Sequence, residues 1–207
     1  MFWIIIALLA LFAVLHSWLA GPGIRNAVRK RIGDQAYEAY YRLGYNIWSI
    51  VTLLPVVIAL LLNPGQVIWR TEGLVTILFL VVQAVGLLGM FISLMQIDLL
   101  RFGGLRQLIA YWKGQILPLP DEPLQVNGVY RLVRHPLYLF SLMIIWPLSV
   151  MTEGFLAFAI GSTLYFIFGS LLEERRLIKV YGETYRRYQQ QTSWLIPLPR
   201  FGGKVRL

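Results

Sequence analysis

The chain has 207 residues, 57% of them apolar, and 19 lysines and arginines against 10 acidic residues, for a formal net charge of +9. Such an apolar share, with a positive mean hydropathy, excludes a soluble globule with one large core and reads as an all-α, polytopic membrane protein. There is no cysteine and there are two histidines, so disulfides and thiolate nucleophiles are excluded and no metal site is expected.

Five apolar runs predict five membrane-spanning helices. Phe2–Ala20 is the first; it lacks a basic leader and a small-x-small cleavage site, so it reads as an anchor and not a cleaved signal. Residues 45–62, carrying Pro55, are the second and Gly73–Met95 the third. Each approaches the roughly 20 residues that cross about 30 Å of hydrocarbon. Residues 137–151 and 155–172 form a helical hairpin broken at Thr152-Glu153-Gly154. Its first arm is short, about 22 Å at a rise of 1.5 Å per residue. Trp18, Trp48, Trp69, Trp112 and Trp194 fall near predicted span ends, as interfacial anchors do.

Residues 1–95 therefore read as a three-span scaffold. Residues 96–207 supply a loop, the hairpin and a C-terminal extension, all within one integrated domain. The loop 96–133 carries Asp98, Arg101, the run Phe102-Gly103-Gly104-Leu105-Arg106-Gln107 and the proline-rich residues 118–123. A connection of this length is expected to be functional or partly helical, with 109–116 along the membrane surface.

With five spans, 18 of the 19 basic residues fall on one side and Arg70 alone on the other. The positive-inside rule makes the crowded side the cytoplasm and puts the N-terminus outside an inner (plasma) membrane. The net charge then favours anionic lipid head groups and not nucleic acid.

The densest chemistry sits at the hairpin mouth. Gly128-Val-Tyr130 leads into Arg134-His135-Pro136-Leu-Tyr138; Glu173-Glu174 and Gly182-Glu-Thr-Tyr185-Arg-Arg-Tyr188 follow the second arm. A hairpin that crosses twice returns to its starting side, so His135 and Glu174 should meet. Ionisable residues at such a place default to a functional site. Pro136 suits a first helical turn and bars His135 from helical angles. Glu174, Ile178, Tyr181, Tyr185 and Tyr188 keep the spacing of one helix face, which predicts that the last helix continues into the cytosol.

These elements, in this order over roughly the last 80 residues, resemble the isoprenylcysteine carboxyl methyltransferase family of membrane enzymes that use S-adenosylmethionine. His16-Ser17, the Phe-Gly-Gly-Leu-Arg-Gln run with one inserted glycine, and Arg134-His135-Pro136-Leu-Tyr138 resemble a bacterial branch with methanethiol S-methyltransferases and NnrU-like proteins. The resemblance implies S-adenosylmethionine as cofactor, held by Gly128, Tyr130, His135, Tyr138, Glu173, Glu174, Tyr185 and Tyr188. It also implies a small thiol or lipophilic acceptor, with Arg134, His135 and Arg106 as candidate catalytic residues. Glutamates suit the cofactor's ammonium and ribose hydroxyls; Glu173 and Glu174 equally suit a solvated helix end paired with arginine. Adjacent helix positions diverge by about 100°, so one of the two should face the pocket, and Glu174 shares the tyrosine face. Arg134 suits a carboxylate or a lipid phosphate. Two other classes fit the outline: an NADPH-dependent reductase of the sterol-reductase type, and a non-catalytic NnrU-like membrane protein.

Overall fold

A computed structural model of the chain describes residues 1–198; Arg200, Lys204 and Arg206, counted above among the basic residues, lie outside them. In chain order the elements are α1 (Phe2–Ala20), α2 (Pro22–Ile32), α3 (Asp34–Leu62), β1 (Val67–Arg70), α4 (Gly73–Met95), α5 (Leu99–Gly103), α6 (Leu105–Trp112), a 3-10 turn (Gly128–Arg131), α7 (Pro136–Ile145), β2 (Val150–Thr152), α8 (Glu153–Tyr181) and α9 (Glu183–Gln191). Four of them, α1, α3, α4 and α8, are long and apolar enough to cross a membrane. Their side chains point largely outward (Ile5 alone is buried in α1), so hydrocarbon and not a protein core is their solvent. The molecule is an integral membrane protein.

The described residues pack as two compact units, Met1–Gln66 with Asp98–Glu122, and Val67–Ile97 with 123–198. In the first, α1 and α6 both pack on α3. The 29 residues of α3 span about 44 Å at 1.5 Å per residue, more than the roughly 30 Å of hydrocarbon. Its polar opening stretch therefore stands beyond the apolar layer, and α6 packs there. Ala39, Ala110 and Leu117 form the buried contact. Gln35 clamps the segment after α6, donating from Nε2 to the Leu117 carbonyl (2.7 Å) and accepting from its N–H (2.9 Å).

In the second unit α4 packs closely on α7. A Cβ on Gly89 would stand 2.3 Å from the Phe140 ring, and one on Gly86 3.0 Å from Ile144. The Gly86-x-x-Gly89 pair is therefore a packing device. Gln83, a polar side chain within α4, donates to the Ile144 carbonyl at 3.0 Å, near the end of α7.

The expected fourth span is helical only in part. α7 has 10 residues, about 15 Å, and cannot cross alone. Pro147, which lacks an N–H, follows the last helical turn, and the chain bends at Trp146 and Ser149, with the Leu148 N–H donating to the Trp146 carbonyl at 2.9 Å, before entering β2. β2 pairs antiparallel with β1 in the register Val67 with Thr152, Trp69 with Met151 and Arg70 with Val150. Trp69 Nε1 donates to the Leu148 carbonyl (3.3 Å) and Thr71 N–H to that of Ser149 (2.9 Å). Protein groups thus satisfy this irregular backbone, the condition for its survival at membrane depth. Both α7 and β2 contact α8, and β2 leads directly into its start.

α8 continues unbroken well past residue 172, as expected, to Tyr181. It stops at Gly182, whose φ of +56° lies where L side chains are strained. The face expected to run from Glu174 to Tyr188 on one helix is therefore divided between α8 and α9, and the change of direction carries α9 back toward the mouth.

Candidate functional site at the hairpin mouth

The returning tail builds the site. Beyond α9, Ser193 bridges in parallel with Val133. The Arg134 N–H donates to the carbonyls of Ser193 (2.8 Å) and Trp194 (3.1 Å), and the His135 N–H to that of Trp194 (3.3 Å). Trp194 Nε1 in turn donates to Ser170 Oγ on α8 at 3.2 Å. Residues 133–135 are thereby fixed just ahead of Pro136, the first residue of α7.

Arg134, His135 and Glu174 meet there as expected, though 39 and 40 residues separate the partners. Arg134 Nε donates to Glu174 Oε1 at 2.6 Å, and its Nη1 donates to the carbonyls of Gln189 (3.1 Å) and Thr192 (2.6 Å). His135 Nε2 lies 3.2 Å from the same Glu174 oxygen, and its Nδ1 3.5 Å from Glu173 Oε2. Glu174 Oε2 accepts from Gln189 Nε2 at 2.8 Å. Both ring nitrogens of His135 thus face carboxylates, which accept only, so the doubly protonated imidazolium matches the site. Burial works against that charge, but hydrogen bonds to Glu173 and Glu174 and their negative charges outweigh it, lifting the His135 pKa above 6.5.

The two glutamates differ. Glu174 is buried and both its oxygens hold internal partners, whereas the Glu173 side chain is 47% exposed. Glu173 accepts from the Tyr138 hydroxyl at 3.2 Å and keeps acceptor capacity toward the outside. The Tyr138 ring stacks on His135 (centroids 5.5 Å apart) and on Phe166 (4.8 Å), and these neighbours occupy its faces.

The remaining candidates fall around this lattice. Gly128 has φ +60°, and a Cβ there would stand 2.1 Å from the Gln96 amide nitrogen. The Tyr130 carbonyl accepts from the Tyr188 hydroxyl at 2.5 Å, so Tyr188 ties α9 to the 3-10 turn. Burial, then the Glu173 charge, pushes the Tyr130 phenol up to about 12. Tyr185 is fully buried and its hydroxyl has no hydrogen-bond partner among the described residues; burial first, then the Glu174 charge, raises its pKa.

Arg106 belongs to the first unit, where it pairs with Asp98, the residue that caps α5. His16, also there, contacts the Tyr45 hydroxyl through Nε2 and Ser49 Oγ through Nδ1 at 2.9 Å. Gln189 and residues 192–193 carry no expectation from the sequence, and Trp194, expected as an interfacial anchor, instead ties the tail to α8. Gln189 directly follows Tyr188, and the amphipathic spacing of α9 was the available signal.

The long apolar helices make this an integral membrane protein, and comparison with known chains gives its family. The profile of the family described as NnrU protein matches residues 4–195. The chain belongs to that family. It is 31% identical to methanethiol S-methyltransferase 2 of Bradyrhizobium diazoefficiens and 33% identical to a methanethiol S-methyltransferase of Pseudomonas sp. (strain GM41(2012)), in each case over 92% of this chain and 71% of the relative. It is also 26% identical to nurim of Xenopus laevis, over 97% of this chain and 70% of nurim. No solved structure matches.

Proposed function

We propose that the protein is an S-adenosylmethionine-dependent methyltransferase of the cytoplasmic membrane that methylates a small thiol at sulfur, with its site on the cytoplasmic face. The observation that carries this reading is the lattice Arg134–Glu174–His135–Glu173, which holds one half-exposed carboxylate, together with the buried Tyr185 hydroxyl, unpartnered among the described residues. The names of the relatives support methyl transfer to a thiol, and the one-sided distribution of basic residues supports the orientation.

The residues suit the cofactor. It carries an ammonium, a carboxylate and ribose hydroxyls, and supplies an electrophilic methyl group when bound. Glu173, half exposed, would hold the ammonium or a ribose hydroxyl. Tyr185, buried and without a partner among the described residues, would donate its hydroxyl to the carboxylate or a hydroxyl. Glu174 is saturated by Arg134, His135 and Gln189, so it positions its neighbours. His135, donating from both nitrogens, orients the two carboxylates and does not take a proton. Arg134 clamps the turn after α9 onto the mouth. Gly128 and Tyr130, with Tyr188 bonded behind them, form the wall next to Glu173. Methyl transfer is a displacement that rests on positioning, and a lattice this interlocked serves positioning.

Calorimetry of the detergent-purified protein with S-adenosylhomocysteine and, separately, NADPH tests the cofactor. Conversion of methanethiol to dimethyl sulfide tests the acceptor. Saturable S-adenosylhomocysteine binding with sulfide formation is expected. NADPH binding without S-adenosylhomocysteine binding would replace methyl transfer with reduction, and binding of neither would leave a non-catalytic membrane protein.

A further inference from the structure

The first unit holds a second candidate site, on α6. Arg106, Ile109, Ala110 and Lys113 recur at the spacing of one helix face, and with Gln115 and Leu119 they line a cavity of about 230 Å³. We propose that this groove binds the phosphate of an anionic phospholipid between Arg106 and Lys113, with the start of an acyl chain on Ile109 and Leu119.

Three observations converge on that ligand. The lining has two cationic ends and an apolar floor, which matches an amphiphilic anion and is more than a free anion needs. The cavity is open to the surface and smaller than the roughly 300–1,000 Å³ of pockets that enclose drug-sized ligands, as suits part of a lipid whose remainder lies outside. Lys113 makes no ion pair among the described residues, while Arg106 shares its charge with Asp98.

The level of the groove is also that of a head group. α6 packs on the polar opening stretch of α3, which stands beyond the hydrocarbon layer. Trp112, at the end of α6, donates to the Tyr40 hydroxyl of α3 at 3.2 Å and is otherwise 69% exposed, and nearby Ile116 is 86% exposed. An indole and an isoleucine so placed fit an interface with lipid. A second basic hollow lies against the same stretch of α3, lined by Pro22, Arg25, Asn26, Arg29 and Tyr37, as expected where a protein surface meets anionic head groups.

The test uses the full chain in nanodiscs of equimolar phosphatidylcholine and phosphatidylglycerol, followed by native mass spectrometry of the retained lipid. Wild type should retain phosphatidylglycerol over phosphatidylcholine. Lys113→Gln should lower that retention about tenfold, the loss of one charge-assisted hydrogen bond. Lys113→Arg should preserve it, and Lys30→Gln, outside the groove, should leave it unchanged. Equal retention of the two lipids, or retention indifferent to Lys113→Gln, would overturn the proposal. Displacement of phosphatidylglycerol by inorganic phosphate would reassign the groove to a soluble anion.

Discussion

Arg29 in the first unit reaches Glu38 at 2.5 Å and Asp34 at 3.7 Å, with side chains 42%, 27% and 76% exposed respectively. In the second unit Arg134, His135 and Glu174 make a comparable set of contacts with side chains only 9%, 4% and 11% exposed. An arginine–glutamate pair does different work in these two settings. Water screens the first group, which steadies the turn between α2 and α3 at little gain and little cost. The second group gives up most of its hydration, which is tolerable only because nearly every donor and acceptor has a partner. A protein needing only an anchored helix end had the first arrangement available, and this contrast is what supports the site proposed at the hairpin mouth.

Removing one partner from each group should separate them most clearly. Arg134→Ala leaves the buried Glu174 carboxylate without its arginine partner and should cost about 3–5 kcal/mol. Arg29→Ala should cost under about 1 kcal/mol. Thermal or denaturant unfolding in one detergent checks both, and equal small losses would reduce the buried lattice to a surface cluster.

Within the lattice, the glutamates should divide by role. Glu173→Gln should weaken S-adenosylhomocysteine binding roughly ten- to a hundredfold, the worth of about 1.5–3 kcal/mol for a hydrogen bond to a charged group, with the melting temperature nearly unchanged. Glu174→Gln should lower affinity and melting temperature together. Calorimetry and unfolding on the same preparations distinguish these patterns, and a Glu173→Gln protein that binds normally would remove that side chain from the cofactor.

The smallest effect is one of pH. The folded pKa of His135 is raised above its ordinary 6.5. Its contribution to stability is therefore complete below the ordinary value and is lost as pH rises through the higher folded value, when one carboxylate loses its donor. Melting temperature should decline across that window in wild type and decline less in His135→Gln. A wild-type profile that rises there instead would mean that the ring is neutral in the fold.

Much of this was readable in one dimension. The lengths of the apolar runs implied a helical hairpin, and a hairpin has to return its ends to one side, so the meeting of His135 with Glu174 followed from span lengths and a turn. Pro136 marked the start of α7 because its ring fits the first helical turn and no later one. The tyrosines of α9 announced an inward face by their spacing, although Gly182 turns that face onto a separate helix.

Other features depended on partners far along the chain. α7 stops at Ile145 where extended chain can pair with Val67–Arg70, about 80 residues earlier, and nothing local announces that pairing. Which glutamate is saturated depended on Gln189 and the returning residues 192–194, which fill the side facing Glu174 and leave Glu173 half open. Periodicity, charge sign and turn chemistry are properties of neighbouring residues, so the sequence by itself determined the class of protein, its apolar helices and the location of its polar mouth. The burial of a charge and the occupancy of its lone pairs depend on every segment that arrives around it, and only the tertiary structure decided those.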